Sequence, residues 1–271
     1  MKYKLIVTDM DGTLLNSQGN VSDENKKAMK KLLEKGGHIA IATGRIYTTA
    51  KVYAKHLGIV TPIICCNGAV VKDLRDDKKI YGNPISKEDS YKIIDICREH
   101  DLYFHFYSED TIFGERMEYK ILYFSEWAKT IKEEDTIKIK IIKDSREIVE
   151  REIIYKFSIQ TDDIKLLDQI AEILNKEKTI EVRKSLTNML DIMNSGVSKG
   201  NAVKKLADSL GIKREEIIAV GDNENDISMI EYAGLGVAMA NAEEKVKKIA
   251  DYITDTNDND GVAKVIYKFM F

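Results

Sequence analysis

Four short clusters in this 271-residue chain bring carboxylates, glycines and cations together beside turns. The first, Asp9-Met10-Asp11-Gly12-Thr13, directly follows the apolar run at residues 4–8, KLIVT. A carboxylate can attack phosphorus to give an acyl phosphate, splitting one hard displacement into two easier ones. A second carboxylate two positions on, Asp11, could protonate the leaving oxygen and later take a proton from water. Gly12 permits a sharp turn that exposes backbone N–H groups to an anion. The plainer reading of the same residues is a loop whose aspartates only cap the turn.

The second cluster is Gly221-Asp222-Asn223-Glu224-Asn225-Asp226, again straight after an apolar run. Acidic and amide oxygens packed at such a junction suit a hard cation, and magnesium takes few carboxylates alongside water and phosphate oxygens. The same acids could equally cap and charge the first turn of a helix. Thr43-Gly44-Arg45 offers a hydroxyl, an exposed N–H and a guanidinium, all able to meet a phosphate. Alone it reads as a strand-to-helix turn with a solvated arginine. Ser198-Lys199-Gly200 sets an ammonium at a helix start, where it could offset the charge of nucleophile and phosphoryl group together. A lone lysine there would be solvated.

The elements around these clusters decide between the readings. Residues 4–8, 38–42 (HIAIA) and 62–66 (PIICC) are short apolar runs, alternating with helical spacing at 22–35 and 47–57. Ser22 is a fitting N-cap and Gly36 a fitting stop for the first helix. The order βαβαβ favours a doubly wound, mainly parallel sheet, a Rossmann-like α/β core. The last third returns to it, with a helix at 198–210, a strand at 217–220 (IIAV), a helix at 226–232, then 235–238, 243–249 and a helix from 261. Open α/β sheets bind ligands beyond the carboxyl ends of their strands, so one crevice could collect all four clusters.

The middle reads differently. Strand candidates at 103–107 (YFHFY), 155–160 and 179–183 alternate, with helical patterns at 87–100 and 163–175 between them. Alternation implies one covered face and another that is solvated or faces a cleft. The expected architecture is a discontinuous catalytic core, 1–83 with 191–271, and an inserted α+β cap at 84–190. The charged run at 129–135 reads as a solvated face, and His38, His56, His100 and His105 lack partners at metal spacing.

Composition narrows the function classes. Forty-two basic against 45 acidic residues give −3, without the basic excess of a nucleic-acid binder. Three cysteines, Cys65, Cys66 and Cys97, form no zinc spacing or disulfide framework and read as reduced thiols. No signal-peptide pattern opens the chain, and no stretch reaches the ~20 apolar residues of a bilayer span. A soluble cytoplasmic protein is expected, with no nucleic acid, membrane or obligate protein partner.

At these residues the chain resembles a known family. DMDGT at Asp9, TGR at Thr43, Lys199 in GVSKG and GDNENDISM at Gly221 are similar to the four ordered motifs of the haloacid dehalogenase superfamily. NGA at Asn67 and the large insertion after it resemble its Cof-like phosphatases. The resemblance implies that Asp9 is nucleophile and metal ligand, and that Asp11 is general acid/base and lends its carbonyl to the metal. It implies that Thr43 and Lys199 hold the transferring phosphoryl group, helped by Gly12, Gly44, Arg45 and Asn225. Asp222 would ligate Mg2+, with Asp226 just behind it. The implied activity is hydrolysis of a small phosphorylated metabolite, sugar phosphates first. Transfer to a sugar hydroxyl, or a low-turnover phosphometabolite-binding regulator, are the alternatives. Arg183, Lys184 and Asn188, near the expected cap exit, are candidates for leaving-group contacts.

Overall fold

The structure is a computed structural model that describes residues 2–129 and 137–271. From residue 130 onward, the charged run at 129–135 lies outside the described residues. The chain forms two compact units. One comprises Met1–Arg45, Ala50–Tyr81 and Ser198–Phe271; the other comprises Ile46–Thr49 and Gly82–Val197.

In the first unit, five strands form a parallel sheet. Leu5–Thr8 lies centrally, with His38–Ile41 on one side and Ile217–Gly221, Leu235–Ala238 and Tyr252–Ile253 on the other. A parallel bridge from Ala42 to Ile64 carries the strand Ile63–Cys65 alongside His38–Ile41. In chain order the core strands therefore lie 3-2-1-4-5-6. This is the doubly wound arrangement expected from the alternating pattern, and the winding reverses between Leu5–Thr8 and Ile217–Gly221. Both of those strands are buried along their whole length.

Packing follows the two periodicities. Leu5, Val7, Ala40, Ala42, Ile217 and Ala219 line one sheet face, at alternate positions along their strands. Ala202, Val203, Leu206 and Ala207, a stripe along the helix Lys199–Leu210, cover that face. The helix Asp23–Glu34 is capped by Ser22, whose hydroxyl accepts from the Asn25 N–H at 3.1 Å. Buried Asn25 in turn accepts from the Ala263 N–H of the helix Gly261–Phe269. Val70–Lys72 pairs antiparallel with Ile63–Cys65, and Lys79–Gly82 follows it in the same small sheet. They are too short and too charged between them to show a period in sequence.

The second unit holds a six-stranded sheet in the order Ile180–Leu186, Met189–Asn194, Lys156–Gln160, Tyr103–Tyr107, Thr111–Gly114, Lys138–Ile141. All its pairs are antiparallel except the last. Phe104, Phe106, Phe157, Ile159, Leu190 and Ile192 pack against the helices Lys87–Glu99 and Ile164–Leu174. In the strand Tyr103–Tyr107 the alternate residues are buried as well, so its second face is not solvated. On that second face Asp191 accepts from Lys156 and Ser158, and His105 Nε2 lies 2.7 Å from the Tyr107 hydroxyl. Burial lowers the pKa of His105, with Lys156 and Lys120 adding to the effect, which favours its neutral form. All three cysteines are buried thiols outside any disulfide. Among the described residues, no helix is long and apolar enough to cross a membrane.

Candidate active site

Strand pairing explains why the first and last clusters meet. Thr8 lies opposite Val220 in adjacent parallel strands, so the chain leaves the sheet at Asp9 and at Asp222 side by side. Neighbouring strands stand about 4.8 Å apart, and both carboxylates emerge at the carboxyl ends where the winding reverses. The Asp9 N–H still donates to the Val220 carbonyl at 3.0 Å, which anchors the first residue of its loop. Asp9, Asp222 and Asp226 each present an oxygen within 4.8 Å of the others. Three gathered carboxylates fit a hard divalent cation.

Hydrogen bonding gives the three different parts. Asp226, fully buried, accepts from Lys199 Nζ at 2.6 Å on one oxygen. Its other oxygen accepts from the N–H groups of Asp222 and Asn223 at 2.9 and 3.0 Å. Both oxygens are thus engaged, so Asp226 shapes the loop from behind. Asp9 gives one oxygen to Lys199 Nζ at 2.6 Å, and Asp222 accepts from the Thr13 hydroxyl at 2.5 Å. Thr13, buried, closes the first cluster, and the sequence reading gave it no role of its own.

Lys199 offsets only part of the charge of these carboxylates. Lys199 has no exposed side-chain surface and sits at the first turn of its helix, behind the N-cap Ser198. Burial works against its ammonium, but Asp226 and Asp9 outweigh that and raise its pKa. Asp9 is 6 % exposed, and burial pushes its carboxyl well up; Lys199 opposes that rise, while Asp226, Asp222 and Asp11 add to it. Asp222 is pushed up to about 6, chiefly by burial, with the Thr13 hydrogen bond pulling the other way. Three carboxylates facing one ammonium leave an excess of negative charge, which a divalent cation would offset.

Glycines make room for these contacts. Gly12 has φ +81°, and a Cβ there would run into the Asp222 carboxylate. The Gly12 carbonyl accepts from Asn241 Nδ2 at 2.8 Å, a tether from a loop with no visible motif. Gly44 lies so close to Asn67 that a Cβ would stand 2.8 Å from its Oδ1.

The remaining candidates divide. Thr43 is buried, and its hydroxyl accepts from the Arg45 N–H at 3.1 Å. Arg45 forks onto Asp11, with Nε to Oδ2 at 2.9 Å and a terminal nitrogen to Oδ1 at 2.5 Å. The Asp11 side chain is 58 % exposed, unlike Asp9. Burial works against the Arg45 guanidinium, yet its hydrogen bonds to Asp11 raise its pKa overall. Asn225 donates to Asn67 Oδ1 at 3.0 Å. Arg183, Lys184 and Asn188 belong to the second unit and are engaged by Glu181, Asp168 and Asp162.

A parallel core with a carboxylate pair after its first strand, a buried lysine and an acidic loop at the winding reversal defines a class. The chain belongs to the haloacid dehalogenase-like hydrolases, whose family model matches residues 6–266, and it is a phosphatase. It is 34% identical over 265 residues to the 5-amino-6-(5-phospho-D-ribitylamino)uracil phosphatase YcsE of Bacillus subtilis (strain 168), covering 97% of this chain and 94% of that one. It is 30% identical to the pyridoxal phosphate phosphatase YbhA of Escherichia coli (strain K12) over the full length of both. The crystal structure of a haloacid dehalogenase-like hydrolase from Bacteroides thetaiotaomicron matches all of both chains with a TM-score of 0.87 at 32% identity.

Proposed function

We propose that this chain is a magnesium-dependent phosphomonoesterase that works through a phosphoaspartate on Asp9. The observation that carries the proposal is the buried Lys199 ammonium, held 2.6 Å from both Asp9 and Asp226 and beside Asp222. That arrangement stores a nucleophile and its counter-charge in one dry place, where electrostatic stabilisation is strongest.

An Asp9 oxygen attacks phosphorus as the bond to the leaving oxygen breaks, and Asp11 gives that oxygen its proton. Asp11 then takes a proton from water, whose oxygen attacks the same phosphorus. The acyl phosphate bond breaks, inorganic phosphate departs and Asp9 is restored. Thr43, Lys199 and the Asn225 amide hold the non-bridging oxygens, with Gly12 and Gly44 leaving room for them. In the structure Arg45 donates to both carboxyl oxygens of Asp11. Transfer of Arg45 from Asp11 to a phosphate oxygen would free Asp11 to carry the proton. Asp9, Asp222 and the Asp11 carbonyl would hold Mg2+, with Asp226 behind them. Bound there, the ion neutralises phosphoryl charge and keeps Asp9 ionised.

Small phosphorylated metabolites are the proposed substrates. The two relatives, named for a phosphorylated ribitylaminouracil and for pyridoxal phosphate, support heterocycle-linked monoesters beside the sugar phosphates expected from sequence. The test is release of inorganic phosphate from a panel of such esters, ranked by kcat/KM. Asp9→Asn should lose at least about a thousandfold in kcat. A chelator should do likewise, reversibly on adding Mg2+. Substantial turnover by Asp9→Asn would remove the nucleophile.

A further inference from the structure

The turn Cys66–Gly68 belongs to none of the four clusters, yet it touches three of them. The Cys66 N–H donates to the Arg45 carbonyl and the Asn67 N–H to the Thr43 carbonyl, both at 3.0 Å. The Asn67 carboxamide oxygen accepts from Asn225 Nδ2 at 3.0 Å. A Cβ on Gly68 would strike the Ser198 carbonyl, immediately before Lys199. All of these residues lie in the same unit.

The backbone here is unusual. Cys66, Asn67 and Gly68 take φ values of 49°, 57° and 102° in succession. Left-handed conformations are disfavoured for residues with a Cβ, and asparagine tolerates them better than most. Such strain persists only where the surroundings over-determine it. Here they do, because the turn aims two successive N–H groups at the Thr43–Arg45 loop and one side chain at Asn225. Asn67 is 3 % exposed, so its contact with Asn225 is shielded from competing water.

The geometry points to Asn67 as a positioning residue for phosphate binding, acting through Asn225 and through the Thr43–Arg45 backbone. A carboxamide nitrogen carries two hydrogens. Asn67 takes one from Asn225, which fixes the plane of that amide and directs the second N–H at a phosphate oxygen. The absence of a side chain at Gly44 follows from the same arrangement, since the Asn67 oxygen occupies that space. This inference rests on the proposed role of Asn225 in holding the phosphoryl group.

The test uses the full chain with Mg2+, p-nitrophenyl phosphate as substrate, and calorimetric titration of inorganic phosphate. Asn67→Gly keeps the left-handed turn and removes only the carboxamide. It should weaken phosphate affinity and kcat/KM about tenfold each, as should Asn225→Ala. The double variant should fall no more than about twofold below Asn225→Ala, because the two residues act as one. Should Asn67→Gly not fold, Gly44→Ala crowds the same oxygen from the other side. It should weaken phosphate binding in the parent but not on the Asn225→Ala background. Phosphate affinity within twofold of the parent for Asn67→Gly, or full multiplication of the two single losses, would overturn the inference. Asp9→Asn serves as the separate control. If that variant turns over, the assignment of Asp9 as nucleophile fails, while phosphate affinity still decides the Asn67–Asn225 link.

Discussion

Replacing Lys199 with methionine removes one charge from the most buried ionic group in the first unit while nearly conserving side-chain volume. The ammonium contacts two carboxylates at 2.6 Å and has no solvent exposure, so nothing screens what it leaves behind. Breaking a buried pair by deleting one partner costs about 3–5 kcal/mol, because the survivor is stranded as an uncompensated charge. Here two carboxylates are stranded and Asp222 lies beside them. The upper half of that range is expected in metal-free buffer. A domain with a stability of about 5–15 kcal/mol would still populate its folded state. The loss should depend on pH in a defined direction. Lys199 is what lowers the raised pKa of Asp9, so its removal raises that pKa further. A carboxyl whose folded pKa exceeds its unfolded value binds protons preferentially in the folded state, and stability then rises as pH falls. Urea unfolding of parent and variant at pH 8 and pH 5, in EDTA, measures both effects. A penalty below about 1 kcal/mol at pH 8, or one equal at both pH values, would refute the reasoning, since either means the carboxylates never needed the lysine.

Three further outcomes follow from the site. Thr13→Val removes the hydrogen bond to Asp222 and should raise the Mg2+ concentration for half-maximal activity about tenfold, with kcat at saturating metal nearly unchanged. Gly12→Ala should lose at least about a hundredfold in kcat/KM with its circular dichroism preserved, because the new methyl group meets the Asp222 carboxylate. Asp222 lies near pKa 6 in the metal-free protein, so its proton competes with the cation. Apparent Mg2+ affinity should therefore fall as pH drops from 7 to 5 in a metal titration, and metal-free stability should rise through the window from about 6 to 4.

The core elements were legible in sequence because each carries a strong period or a stop. The run at 4–8 has an apolar centre, Leu5-Ile6-Val7, and is closed by Asp-Gly, and the helix after it has Ser22 and Gly36 at its ends. Their alternation implies the parallel sheet. The strand pair at 70–82 was invisible, since its three- and four-residue strands flank a charged turn and its order comes from pairing with neighbours. In the second unit, Thr111–Gly114 and Lys138–Ile141 are likewise too short for a period. Within the site, residue types and spacing pointed to Asp9, Lys199 and Asp222, which the sheet register brings together. Spacing could not reveal that Asp226 has both oxygens engaged, or that Asp11 is forked by Arg45. Asn241 was hidden for another reason, and Asn67 stood out only through the NGA resemblance, with no role attached to it. An asparagine that holds a distant backbone carbonyl looks, along the chain, like any turn residue.

The central strand Leu5–Thr8 leaves the ribosome long before its neighbour Ile217–Gly221. Lys199 reaches Asp9 across 190 residues of sequence. Until the C-terminal third emerges, Leu5–Thr8 has one open edge and Asp9 has no cation. Closing so long a loop is slow, and an unpaired apolar edge invites association with other chains. Truncation anywhere before residue 217 should therefore yield insoluble protein rather than a smaller folded core. Catalytic competence and completion of the sheet would arrive together, in a single late event.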